Sequence, residues 1–151
     1  MERDEFARCV VDATDKMYRI AWTILHHDED CRDAMQEAAM RAWAKRHTLR
    51  DARFFSTWLI RILINEAYVI RRKRRRNLSL PDASACVSNA PDEELSLALQ
   101  RLPEQLRLPL VMHALEGMSY EEIGKVLHLP HSTIAGRIRR GKQQLRKELS
   151  V

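Results

Sequence analysis

Arg61, Asn65, Tyr68 and Arg72 recur at i, i+4, i+7 and i+11, so a helix would carry them on one face. Guanidinium groups hold phosphate, while an amide and a phenol ring can hold the edge and face of a base. Alone, such a row reads equally well as a solvated helix surface. A second set lies nearer the C-terminus. Thr133, Gly136, Arg140, Gln143 and Lys147 share a face, flanked by Arg137 and Arg139. A basic exposed helix of this kind fits a DNA major groove, with its N-terminal half toward the bases. A third row, Asp33, Glu37 and Arg41 with Gln36 beside it, mixes acid, amide and base. It is either a wet helix surface or a docking face for a basic partner helix.

The elements that would position these rows follow from apolar spacing. Residues 4–26 form one amphipathic helix or two short ones, with Met17, Ile20, Ala21, Ile24 and Leu25 on the inner side. The stretch from His27 to Asp30 breaks it. A helix over 31–46 follows, with Met35, Ala38, Ala39, Ala42 and Trp43 inward. After a polar connector from His47 to Arg53, a third helix runs from Phe54 to Arg74. Phe55, Leu59, Ile62, Val69 and Ile70 point inward, with Trp58 and Leu63 at the margins. Glu66 falls on that apolar side, which calls for a basic partner on a neighbouring helix.

Residues 78–93, LSLPDASACVSNAPDE, have two prolines, three serines and no helical period; they read as a flexible linker. Fully extended, they span at most about 50–58 Å, more than one DNA turn of about 34–36 Å. Leu95, Leu99, Leu102 and Leu106 begin a second helical stripe. Pro103 suits the first position of a helix, Pro109 predicts a kink or a late start, and Gly117 a C-terminal cap. Ser119 and Glu122 form an S-x-x-E capping box. Tyr120, Ile123, Val126 and Leu127 then share a face, and His128-Leu129-Pro130 makes a turn. Ile134, Ile138, Leu145 and Leu149 line the next helix, with Gly141 where the two helices of this motif could lie close. A capped short helix, a tight turn and a helix apolar inside and basic outside describe a helix-turn-helix.

The 151 residues are 45% hydrophobic and 31% charged, enough apolar content for a folded chain. Four glycines and few alternating runs favour an all-α fold: two small helical domains, a three- to four-helix N-terminal bundle and a C-terminal helix-turn-helix domain. The net charge of +5 favours a polyanion. It concentrates in Arg71 to Arg76, all basic, and in Arg137 to Lys147, which has six cations and no acid. Three cysteines, Cys9, Cys31 and Cys86, without a framework suggest a reducing compartment. His26, His27 and Cys31 lack a second cluster at zinc spacing, so no metal and no cofactor are expected. No apolar run approaches the roughly 20 residues of a membrane span, and the expected location is cytoplasmic.

Three segments, in order, resemble the extracytoplasmic-function group of bacterial RNA polymerase sigma factors. DAMQEAAMRAW (33–43) is similar to the family signature D-x-x-Q-E-x-x-x-R-A-W. FFSTWLIRILINEA (54–67) is similar to its F-x-x-W-L-x-R-I-x-x-N segment, and residues 102–145 resemble its whole fourth region. The resemblance implies a non-catalytic initiation factor with region 2 at 1–77 and region 4 at 94–151. Asp33, Gln36, Glu37 and Arg41 would dock on the clamp coiled coil of the core RNA polymerase. Leu49 through Asn65, including Arg53 and Arg61, would read the minus-ten element and capture an unstacked non-template base. Arg61, Tyr68 and the Arg71–Arg76 run, Arg72 included, would hold backbone. The helix with Thr133, Gly136, Arg137, Arg139 and Arg140 would read the minus-thirty-five element of promoter DNA, the domain also touching the polymerase flap. Arg139 and Arg140 suit base edges; Thr133 and Arg137 suit phosphate. An anti-sigma factor is implied as a further partner.

Three positions depart from the family pattern. Leu49 replaces an aromatic in the connector LRDARFF, where relatives often read F-R-G-x-x-x-F. His128 stands where the turn usually has glycine, which predicts a left-handed backbone at some cost. Gly136 removes one side chain from the reading helix and costs about 1 kcal/mol against Ala. The competing reading is a stand-alone helix-turn-helix regulator binding duplex without polymerase, usually as a dimer. The chain offers no heptad seam for one. Nuclease or recombinase chemistry would need clustered carboxylates or a placed Ser or Tyr nucleophile; Tyr18, Tyr68 and Tyr120 lack such company.

Overall fold

A computed structural model describes residues 1–77 and 93–150. The chain divides into two compact units, Met1–Ser84 and Ala85–Val151. All regular structure among the described residues is helical. The expected linker 78–93 lies, except for Glu93, outside the described residues.

In the first unit, α1 (Arg3–Leu25), α2 (Asp28–Ala44) and α3 (Phe55–Asn77) pack against one another. Helix α1 is continuous and ends at His26, whose φ of 51° is left-handed. Helix α2 begins at Asp28, earlier than residue 31. His27 Nδ1 accepts the Asp30 amide at 3.2 Å, and three acids occupy the first turn, where the helix dipole favours them. The inner stripe of α2 is also rotated from expectation. Cys31, Ala34, Ala38 and Ala42 are fully buried, whereas Met35, Ala39 and Trp43 are half-buried. Two helices press on α2 at once. Small side chains at the centre let both approach, and the bulky ones fill the margins.

Helix α3 shows the same effect. Leu59, Ile60, Leu63, Ile64 and Ala67 form its buried face, while Ile62, Val69 and Ile70 are half-buried. A helix with two neighbours buries a wider arc than a simple amphipathic stripe. Phe6, Phe55 and Trp43 close one end of the bundle: the Phe6 ring lies 5.1 Å from Trp43 and 5.6 Å from Phe55, both edge-on. The other end is tied by an ion pair and a hydrogen bond. Arg74 Nη1 donates to Asp30 Oδ2, joining the C-terminal part of α3 to the start of α2. Tyr18 donates to Asp28 Oδ1 at 2.6 Å. That bond holds the Asp28 carboxyl below its ordinary value. Burial, followed by the same bond, holds the Tyr18 phenol above its own.

The second unit contains α4 (Glu93–Gln100), α5 (Glu104–Leu110), a π-helical segment (Val111–Leu115), α6 (Tyr120–Leu127) and α7 (His131–Leu149). Ala98, Leu102 and Leu106 are buried, with Leu95 and Leu99 half-buried. Pro103 is the N-cap rather than the first helical residue. Pro109 does not delay the helix, which begins at Glu104. Helix α5 runs through Pro109, and the chain then widens into the π segment, which closes with Glu116 N–H on the Val111 carbonyl at 3.2 Å. Gly117, at φ 69°, follows as the expected cap residue.

Candidate nucleic-acid interface

The helix-turn-helix is built as the residues predict. Ser119 Oγ accepts the Glu122 amide at 3.1 Å, and Glu122 Oε1 accepts the Ser119 amide at 3.0 Å. Ile123 and Val126 are buried; Tyr120 and Leu127 are half-buried. His128 adopts φ 59°, the left-handed turn position expected of glycine. Gly124 makes the turn possible: a Cβ there would stand 2.8 Å from the Leu129 carbonyl oxygen. The sequence reading missed it, though a glycine four residues before a left-handed turn was the available signal. Tyr120 lies between His113 and His131, with ring centroids 4.7 and 5.5 Å away.

Helix α7 is held inward by Ile134 and Ile138. Gly141 is the close approach, but to α5 rather than α6: its Cβ would meet the Leu106 carbonyl oxygen at 3.3 Å and Leu110 Cδ2 at 3.4 Å. Leu145 is half-buried. Leu149 does not belong to the inner stripe; it is 39% exposed in the final turn, past the Arg101–Glu148 ion pair of 3.1 Å. On the outer side, Arg139 and Arg140 are exposed, and Thr133, Gly136 and Arg137 are half-buried. Arg140 Nη1 lies 3.4 Å from where a Cβ on Gly136 would stand. The absent side chain is therefore the surface over which the Arg140 guanidinium folds.

In the first unit, Arg61, Asn65 and Arg72 are exposed along α3, with Tyr68 half-buried among them. The Arg71 guanidinium sits 4.7 Å from the Tyr68 ring centroid. Of the basic run at the end of α3, Arg74 is committed to Asp30 rather than to the outer surface. Between α2 and α3, 3-10 turns occupy Arg46–Thr48 and Ala52–Phe54. Leu49 follows the first turn and is half-buried. Arg53 is exposed and forks onto Asp51, with Nη2 2.7 Å and Nε 3.1 Å from Oδ2. This fork holds the Asp51 carboxyl below its ordinary range and raises the Arg53 guanidinium.

On α2, Asp33, Gln36 and Arg41 are exposed and Glu37 is half-buried. Arg41 Nε contacts Glu37 Oε1 at 3.3 Å and Glu66 Oε1 at 2.7 Å. Glu66, 8% exposed, thus finds the basic partner on a neighbouring helix that its place on the apolar side calls for.

Residues 11–77 match the family described as Sigma-70 region 2, and residues 92–145 match Sigma-70, region 4. The chain is 31% identical over 170 residues to the ECF RNA polymerase sigma factor SigW of Bacillus subtilis, covering 98% of this chain and 90% of that one. It belongs to the ECF RNA polymerase sigma factors. A second such sigma factor, SigE of Mycolicibacterium smegmatis, is 34% identical over 150 residues, which are 90% of this chain and 58% of that longer relative. The fold of this sigma factor is shared by the sigma factor RpoE of Bartonella quintana, solved with the anti-sigma factor NepR. The TM-score is 0.82 at 23% identity, over 99% of both chains. Sigma factors are initiation factors that give RNA polymerase its promoter specificity and are not enzymes. Among the described residues, no helix is long and apolar enough to cross a membrane, and no group of three or more His, Cys, Asp or Glu side chains could hold a metal ion.

Proposed function

We propose that this sigma factor directs core RNA polymerase by reading two promoter elements with its two units. Residues 1–77 act as region 2 and residues 94–151 as region 4, with 78–93 as the connector. The observation that carries this reading is the α3 row of exposed Arg61, Asn65 and Arg72 with half-buried Tyr68 among them. It combines cations, an amide and a ring on one helix, as capture of single-stranded DNA requires. A base must leave the duplex before its Watson–Crick edge can be read. Asn65 then supplies amide hydrogen bonds, and Arg61 and Arg72 hold phosphates. The connector from Leu49 to Arg53 completes the minus-ten surface.

Helix α7 reads the minus-thirty-five element as duplex. Arg139 and Arg140 reach base edges, Thr133 and Arg137 take phosphate, and Gly136 leaves room for Arg140. Asp33, Gln36, Glu37 and Arg41 dock on the polymerase clamp coiled coil, and the second unit touches the flap. A related fold solved with an anti-sigma factor supports a partner of that kind here. The test compares Asn65→Ala and Arg140→Ala in reconstituted holoenzyme. Asn65→Ala impairs strand opening more than closed-complex binding, and Arg140→Ala weakens duplex recognition. Normal opening by both variants contradicts the assignment.

A further inference from the structure

Among the described residues, Phe54 is the one aromatic of the large apolar side chains left exposed, at 55%. A single exposed phenylalanine is common on protein surfaces. Its setting here is less so. Phe54 ends the 3-10 turn Ala52–Phe54, and its amide donates to the Asp51 carbonyl at 3.0 Å. The next residue, Phe55, is 5% exposed and wedged between Phe6 and Trp58, at 5.6 and 5.8 Å. Phe54 therefore starts from a backbone fixed on both sides, and its ring stands outside the core. The Arg53 guanidinium lies 5.8 Å from the ring centroid and is itself held by Asp51. An exposed ring beside a cation, on a rigid turn leading into the α3 row, combines two features of a single-strand binding surface.

Leu49 occupies the connector position where the family pattern has an aromatic, and it is half-buried. Leucine has bulk but no π-face, so it does not replace a stacking ring. We infer that Phe54 supplies the stacking face for an unstacked base of the minus-ten strand, with Arg53 beside it. This rests on the single-strand capture proposed above and names a residue of that site which the motif does not contain. The base stacks on Phe54, while Asn65, about 16 Å further along α3, meets the edge of another base of the melted strand and Arg61 and Arg72 meet the backbone. Stacking tolerates any base, so Phe54 adds affinity for the melted strand, and discrimination between bases stays with the hydrogen-bonding groups.

The experiment uses full-length protein with core polymerase and a fork-junction promoter selected by the wild-type holoenzyme from a random library. 2-Aminopurine is placed at successive positions of the non-template strand. Phe54→Ala, Phe54→Leu and Phe54→Trp are compared with Asn65→Ala, each first checked for unchanged helical circular dichroism. Phe54→Ala weakens fork-junction binding by roughly 5- to 100-fold, the range of one base–aromatic stack, and relieves quenching at one position. Phe54→Leu behaves like Phe54→Ala, and Phe54→Trp retains binding and quenching. Binding of the minus-thirty-five duplex is unchanged in all three. If Phe54→Ala or Phe54→Leu binds within twofold of wild type while Asn65→Ala is impaired, the Phe54 assignment is overturned and single-strand capture stands. If Phe54→Ala and Asn65→Ala both bind within twofold of wild type, both are overturned.

Discussion

Arg41 Nε lies 2.7 Å from Glu66 Oε1, an ion pair that joins α2 to α3. Glu66 is 8% exposed, whereas the Arg41 side chain is 52% exposed. The same arginine is thus a surface cation of the proposed clamp-docking face and the partner of a buried carboxylate. Removing it leaves Glu66 with an unmet charge. Arg41→Ala is expected to destabilise the first unit by about 1–3 kcal/mol, and Glu66→Gln by less, because the amide still accepts a bond. All three tryptophans, Trp22, Trp43 and Trp58, lie in this unit. Urea unfolding followed by tryptophan fluorescence measures the effect directly. An unchanged midpoint in Arg41→Ala would show that the pair contributes nothing to folding.

Gly136→Ala should stabilise α7 by about 1 kcal/mol through helix propensity. The new Cβ meets only the far end of Arg140, at 3.4 Å. Thermal unfolding by circular dichroism should shift upward for the second unit and not for the tryptophan-reported first. Minus-thirty-five duplex binding, followed by gel shift, should be little changed, because at 3.4 Å the new Cβ makes only ordinary contact with the flexible Arg140 guanidinium.

Gly124→Ala should do the opposite. Its Cβ would stand 2.8 Å from the Leu129 carbonyl oxygen, a backbone atom that cannot swing aside. A cost of about 1–3 kcal/mol is expected from overpacking, with loss of minus-thirty-five duplex binding. Retained duplex affinity in a gel-shift series would contradict the role given to the turn.

Acid stability should depend on Tyr18. Its hydroxyl, with help from Arg32, keeps Asp28 ionised below the usual range. The contribution is complete above the unfolded carboxyl value of about 3.9 and is lost as pH falls through the lowered folded value. Tyr18→Phe should therefore lower the urea midpoint near neutral pH, and the gap from wild type should narrow as pH falls below the unfolded carboxyl value. Because phenylalanine keeps the ring that stacks on Trp22 at 6.2 Å, a constant gap would show that the hydroxyl contributes other than through the Asp28 charge.

Much of this was legible in the residues because local rules and tertiary packing agree. The Ser119–Glu122 box, the left-handed His128 and the Gly117 cap are local, and each formed where the sequence places it. The exposed α3 row followed from helical spacing alone. The misses arose where two neighbours act on one helix. Ala34 is a weak signal by size, yet it is fully buried at the centre of α2, beside the expected Ala38 and Ala42. Leu149 looked apolar enough to be inside but lies in the last turn of α7, 39% exposed. In the candidate site, the Arg41–Glu66 pair required knowing which helices meet. Phe55 was legible as inward, but the placement of Phe54 on a 3-10 turn beside Arg53 does not follow from helical spacing.

The central claim is tested by transcription with purified core polymerase on a random promoter library, with and without this chain. The expected result is that the chain binds core polymerase and initiates from a restricted promoter set sharing two spaced elements. If the chain fails to bind core polymerase or leaves the start sites unchanged, while still holding duplex DNA, the account is contradicted.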